Sequence, residues 1–270
     1  MISIYLFIFG LATGSFLNVL IDRLPKEQSI MGRSHCDFCK HKLNGVDLFP
    51  VLSFIFLGGK CRYCRRKISW QYPLIEILTG ISYVLIFNFQ FKILNQFSIF
   101  NFEFLIQLVR FVSYLGLVSS LIVIFFADVK YQIIPDSMQV IFFIFSLFIH
   151  IFSLKYFWNL EFGIWNFLIS GVVVMLPILI LYWLTKGRGM GFGDVKLAFV
   201  IGFSLGLKAG LLTLYGGFIL GAIIGLILII FKLKRLKSKI AFGPFLILGM
   251  IIILIWQKPI YDLIYKIYGL

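Results

Sequence analysis

The chain has 270 residues, of which 61% are hydrophobic, 18% aromatic and only 13% charged. That composition excludes a soluble globular domain. Continuous apolar runs of about 20 residues also exclude a β-barrel, whose strands alternate over segments of about ten. The net charge of +14 does not point to nucleic acid, because the basic residues flank apolar spans as the positive-inside rule expects.

The first run, at 2–21, lacks a basic leader region and an obvious small-residue cleavage site among Ser15, Asn18 and Asp22, so it is read as a retained helix. Residues 22–71 follow, with ten Lys/Arg and all four cysteines. The cysteines form two CxxC knuckles, Cys36/Cys39 and Cys61/Cys64, separated by 21 residues. This is close to a four-cysteine zinc ribbon, and four thiolates leave no open coordination position, so the expected zinc is structural. A disulfide is disfavoured in a cytoplasmic loop, and a redox role is disfavoured without a thioredoxin-like βαβ unit. His35 and His41 are read as surface histidines flanking the first knuckle.

Further apolar runs fall at 72–90, 104–127, 138–154, 164–185, 195–207, 209–231 and 243–257, giving about eight helices. The run at 195–207 is short for a span, which predicts a tilted, broken or shallow helix. Glu76 lies one turn or so inside the second run, where an acid is rarely idle. A second basic cluster, Lys232, Lys234, Arg235, Lys237 and Lys239, contrasts with loops holding little beyond Lys92, Lys155 and Lys208. The asymmetry places both basic loops in the cytoplasm and the amino terminus outside.

Alternation then puts the ends of the third and fifth spans on that same face. Those ends carry Asp128, after Leu121–Ala127, and Asp194, within Gly189-Met190-Gly191-Phe192-Gly193-Asp194-Val195-Lys196. Two carboxylates a few ångströms apart share one proton, so one can activate water while the other hydrogen-bonds a scissile carbonyl. Gly189, Gly191 and Gly193 permit positive φ and close approach of a substrate strand. As a phosphate cradle the glycines match poorly, with no preceding strand and no Gly-Lys-Ser/Thr. Asp194 also suits a helix N-cap or first turn, and Pro135-Asp136-Ser137 reads more strongly still as a cap. Asp128 instead opposes a helix C-terminal dipole. Lys130 and Lys196 are read as snorkelling anchors or as tuners of the pair.

These elements resemble the bacterial type IV prepilin leader peptidases nearly end to end. The matching residues are Gly14-Ser15-Phe16-Leu17-Asn18-Val19 with Arg23-Leu24-Pro25, the paired CxxC knuckles and Tyr72-Pro73-Leu74-Ile75-Glu76. They continue with Asp128, Ile134-Pro135-Asp136, Gly191-Phe192-Gly193-Asp194-Val195-Lys196 and Phe242-Gly243-Pro244-Phe245. The resemblance implies an all-α, eight-helix polytopic fold in the bacterial inner membrane and a non-pepsin aspartic peptidase with Asp128 and Asp194 as catalytic residues facing the cytoplasm. It implies prepilin or pseudopilin substrates with short basic leaders, and N-methylation of the new terminus from S-adenosylmethionine, associated with Asn18, Arg23 and the cysteine loop. The implied organisation is 1–71, the first helix plus the four-cysteine loop, and 72–270, the peptidase core. Asp37 stands where the family often has proline, and Leu48-Phe49-Pro50 replaces Asn-Ile-Pro, both within the loop tied to methylation. No strand–glycine-loop–helix pattern marks a site for S-adenosylmethionine.

Two other classes compete. A proton-coupled transporter with a zinc-stabilised loop would place its acids at midplane, often within repeats, whereas these lie at one edge. A zinc-bearing membrane scaffold would tolerate replacement of Asp194 and not of the cysteines. Presenilin-like proteases fit less well because Phe126-Ala127, not a Tyr-Asp pair, occurs at the first Asp. Archaeal preflagellin peptidases typically lack the cysteine loop.

Overall fold

The structure, a computed structural model, describes residues 1–91, 102–153, 160–233 and 240–268, with backbone alone at 90–91, 102–103, 160–162 and 257–268. Lys92, Lys155, Lys234, Arg235, Lys237 and Lys239 of the charge argument lie outside the described residues. The all-α polytopic expectation holds. The helices are α1 (Ile2–Arg23), α2 (Leu52–Phe56), α3 (Gln71–Phe91), α4 (Phe102–Tyr131), α5 (Asp136–Ser153), α6 (Leu160–Leu184), α7 (Phe192–Leu205), α8 (Leu207–Ile230) and α9 (Gly243–Tyr268). Six of them, α1, α3, α4, α5, α6 and α8, are long and apolar enough to cross a membrane.

The chain divides into two compact units, Met1–Val123 and Ile124–Leu270. In the first, α1 lies tightly on α3. A Cβ on Gly14 would stand 2.6 Å from the Glu76 Cα, so only glycine allows that approach, the small-residue packing that membrane helices use in place of a hydrophobic driving force. Leu17, Leu20, Ile21 and Ile75 fill the seam. Farther along, Tyr83 packs with Phe111 and Leu115, and its hydroxyl shares a 2.8 Å hydrogen bond with Ser119.

In the second unit α7 is the core. Its 14 residues reach about 21 Å, short of a hydrocarbon thickness of about 30 Å. Eight of them are buried, among them Leu197, Ala198, Val200, Ile201 and Phe203, and α7 packs on α5, α6 and α8. The short run expected to be tilted, broken or shallow is thus an unbroken helix enclosed by its neighbours. Its amino-terminal end carries Asp194.

Candidate active site and metal centre

Asp128 sits one turn before the end of α4, where the Gln132 N–H closes the helix onto the Asp128 carbonyl and Gln132 turns left-handed (φ 55°). The loop 132–135 leads through Ile134 to α5. The Asp128 side chain is 4% exposed, and its Oδ2 accepts a 3.0 Å hydrogen bond from the Gly243 N–H at the start of α9. A Cβ on Gly243 would lie 2.7 Å from that oxygen and 3.0 Å from Ile134 Cδ1. Glycine is therefore required for this contact.

Asp194 is the third residue of α7. Its Oδ2 accepts the Gly191 N–H at 3.0 Å, satisfying a donor the helix start leaves free and placing negative charge at the positive end of the helix dipole. The first-turn reading of Asp194 is correct as far as it goes. The side chain is 7% exposed, and its other oxygen, Oδ1, is buried with no hydrogen-bond partner among the described residues. An N-terminal acid kept only for the helix would face water, so this oxygen calls for another explanation.

The two carboxylates meet through Ile134. A Cβ on Gly193 would touch Ile134 Cβ at 3.2 Å, and Ile134 Cδ1 reaches toward Gly243 beside Asp128. Ile134 thus lies against both acid-bearing segments. The glycines work differently from expectation. Gly191 is extended (φ −78°), and the left-handed residues of this segment are Lys186 and Gly187, which end α6. Gly193 serves close approach instead of an unusual φ.

Two further residues emerge from the packing. Gln139, 3% exposed on α5, donates its Nε2 to the Gly193 carbonyl at 3.1 Å and so braces the first turn of α7 beside Asp194, while its Oε1 is buried without a partner among the described residues. Asp136, the first residue of α5, accepts a 2.7 Å ion pair from Lys196, whose ammonium also lies over the Phe192 ring. Asp136 is thus a first-turn acid of α5 tied to α7. Lys130 lies over the Tyr131 ring.

The cysteine loop repeats one local device twice. Each knuckle opens and closes with an antiparallel bridge, His35 with Lys42 and Lys60 with Lys67. Each bends back through a left-handed residue, Lys40 and Arg65, with N–H bonds from those residues to Cys36 and Cys61 carbonyls. The four sulfurs lie within 4.8 Å of one another, Cys36 and Cys64 at 3.8 Å. Thiolates bound tetrahedrally at about 2.3 Å would stand about 3.8 Å apart, so the cluster fits zinc. Cys36 is drawn down to about 7, where burial, which pushes it up, is outweighed by the Cys39 and Phe38 N–H groups and by the Cys61 and Cys39 thiols. Cys64 is pushed up to about 11, the Arg66 N–H that lowers it being outweighed by burial and the other thiols.

The knuckles are joined by Asp47, which accepts from the Asn44 N–H (3.1 Å), Arg62 Nε (2.6 Å) and Tyr63 hydroxyl (3.1 Å). Burial pushes this carboxyl up, but those donors outweigh it and hold it below its usual range. His41 stacks on Tyr63 with ring centres 3.7 Å apart, so it packs against the second knuckle. Glu76, 7% exposed, accepts the Val51 N–H at 2.7 Å and so ties the loop to α3.

With this geometry in hand, comparisons with known proteins place the chain. Residues 8–90 match a family model described as the bacterial peptidase A24 N-terminal domain, and residues 115–226 one described as the type IV leader peptidase family. A prepilin leader peptidase/N-methyltransferase of Bacillus subtilis (strain 168) is 30% identical, with 96% of each chain covered. One of Stutzerimonas stutzeri is 29% identical, covering 94% of this chain and 90% of the relative. Another, of Pseudomonas aeruginosa, is 28% identical, covering 93% and 89%. The chain belongs to the type IV prepilin leader peptidase family. No solved structure matches it. Nothing in these comparisons favours the transporter reading.

Within this family member the two matched segments carry different chemistry. The N-terminal one holds the cysteine cluster, Asn18 and Glu76, and the second holds Asp128, Asp136, Gln139 and Asp194. Gly243 lies beyond both. Only its place in a Phe-Gly-Pro-Phe string was visible in the sequence, and no spacing rule ties residue 243 to residue 128. Gln139 gave no signal beyond being a polar residue on an apolar run.

Proposed function

We propose that this protein is a membrane-embedded aspartic endopeptidase that removes the short basic leader from type IV prepilins or pseudopilins at the cytoplasmic face. The observation that carries the reading is the buried Asp128/Asp194 pair at adjoining helix ends, with Asp194 Oδ1 left without a partner among the described residues. The ionised carboxylate of the pair takes a proton from water as the water oxygen attacks the scissile carbonyl. The protonated one hydrogen-bonds the carbonyl oxygen, and the proton returns to the leaving nitrogen as the C–N bond breaks. Gly243 N–H and Gly191 N–H each hold one oxygen of an acid, which fixes the direction of the other oxygen.

Cys36, Cys39, Cys61 and Cys64 would hold structural zinc, which orders a loop too small for its own core. N-methylation of the new terminus is the second activity, and it rests on the names of the relatives. A cavity of about 420 Å³ in the loop, lined by Arg33, Ser34, Asn44 and Leu48, offers neither an acid for a ribose nor an aromatic ring for a purine. It does not fit S-adenosylmethionine, and no residue is assigned to that cofactor.

Mass spectrometry of a co-expressed prepilin tests both activities at once. Asp128→Asn and Asp194→Asn are each expected to slow cleavage by about 10²-fold or more. Wild-type cleavage by either variant would sink the pair, and loss confined to Asp136→Asn would move the role to that residue.

A further inference from the structure

The short helix α2 has an apolar face that nothing in its own unit covers. Phe56 is 84% exposed, Ile55 63% and Phe49 61%, with Leu52 about half exposed, and neighbouring Trp70 is 75% exposed. Phe54, on the opposite side, packs on Trp70 with ring centres 4.8 Å apart and lies against Gly59. So α2 has one face seated on the entry to α3 and another facing outward.

Its depth is fixed by a bond into a membrane span. Pro50-Val51-Leu52 makes a tight γ-turn, the Leu52 N–H bonding the Pro50 carbonyl. It forces Val51 to φ 59° and ψ −48°, a conformation β-branched residues avoid. The Val51 N–H is then held at 2.7 Å by Glu76, the sixth residue of α3. Glu76 lies five residues, about 7.5 Å, along α3 from its first residue, so this bond ties the start of α2 to the first two turns of the span. Amphipathic helices lying on a membrane bury their apolar face about 5–10 Å into the headgroup boundary. Exposed Lys60, Arg65, Arg66 and Lys67 follow α2, and residues 22–71 hold ten Lys/Arg against four acids.

We propose that Phe49, Leu52, Ile55, Phe56 and Trp70 form an interfacial foot that docks the cysteine loop on the anionic headgroup surface of its own bilayer. Placement at headgroup depth and the positive flank select this occupant, since anionic lipid complements the charge and a basic leader peptide is repelled by it. Docking positions the metal-bearing loop at the plane where a membrane-anchored substrate emerges. The inference rests on the membrane reading of α3 and not on the peptidase assignment.

The test uses the full-length protein in nanodiscs with a single reporter, Phe56→Trp, the five native tryptophans being replaced by phenylalanine. In phosphatidylglycerol discs, lipids brominated near the headgroup end of the acyl chain are expected to quench this tryptophan at least twofold, while aqueous iodide quenches it little. Exchanging phosphatidylglycerol for phosphatidylcholine is expected to lower the bromolipid quenching by half or more. Iodide quenching without bromolipid quenching, or bromolipid quenching indifferent to lipid charge, would overturn the proposal. So would burial that appears only on addition of a prepilin peptide, which would make the face a substrate site. Should the reporter variant fail to fold, hydrogen exchange of the unaltered protein gives the same decision. Amides 52–57 are expected to exchange at least tenfold more slowly in anionic than in zwitterionic discs, and equal rates refute the foot.

Discussion

The cysteine centre and the carboxylate site both gather a few polar groups at one point, but by opposite routes. Each knuckle is closed by bonds no more than nine residues apart, and Asp47 joins the two within one loop. The carboxylate site draws on α4, α5, α7 and α9, and its Gly243–Asp128 bond spans 115 residues. The first needs only its own loop and the metal that its four cysteines could hold. The second exists only if the membrane helices pack correctly. A metal would stabilise the loop, whereas apolar burial around α7 stabilises the arrangement of the two carboxylates.

The largest way to break this contrast is to remove the metal. Structural zinc contributes about 10–16 kcal/mol to folding in small peptide sites, more than a loop without a core can replace. Chelation, or Cys39→Ser with Cys64→Ser, is therefore expected to open residues 34–69 to limited proteolysis by an order of magnitude or more. The helical unit 124–270 should keep its protease resistance. If both regions opened together, the two sites would not be independently built.

The converse perturbation is Gly243→Ala. The added methyl would sit 2.7 Å from Asp128 Oδ2, and a displacement of about 1 Å at a reacting group costs about 10²-fold in rate. Cleavage in a prepilin assay should fall by about that factor while zinc content is unchanged. A rate within threefold of wild type would show that the Gly243 N–H does not orient Asp128.

The same contrast explains what was legible beforehand. Ligand spacing is local, so the four cysteines could be read as one centre from two knuckles 21 residues apart. Charge asymmetry along the loops placed Asp128 and Asp194 on one face, because topology alternates whatever the helix packing. The neighbours of that pair were not legible, since Gly243 and Gln139 act through contacts 115 and 54 residues away. Nor could a run such as 195–207 declare itself an enclosed helix, because apolar residues look alike whether they face lipid or protein. The short helix α2 was hidden for a related reason: four apolar residues and a serine inside a basic loop carry no periodicity.

Gln139 should give a smaller effect. Gln139→Met keeps the volume and removes the donor to the Gly193 carbonyl, and an unsatisfied buried group costs about 1–3 kcal/mol. Cleavage is expected to slow by about tenfold with substrate affinity little altered, because the residue positions the first turn of α7 and does not reach the peptide. A change confined to KM would instead put Gln139 in the binding site.

The Lys196–Asp136 pair should matter least, although its 2.7 Å separation is the shorter contact. Both side chains are well exposed, at 40% and 68%, and exposed pairs contribute about 0–1 kcal/mol because water screens them. Asp136→Asn and Lys196→Met are each expected to slow cleavage by no more than about fivefold. The double variant should be no worse than the poorer single one if the two act only through each other. A much larger loss in Lys196→Met alone would mean that the ammonium acts on the carboxylate pair and not on Asp136. Lys196 would then belong with the buried carboxylate pair and not with a peripheral clamp.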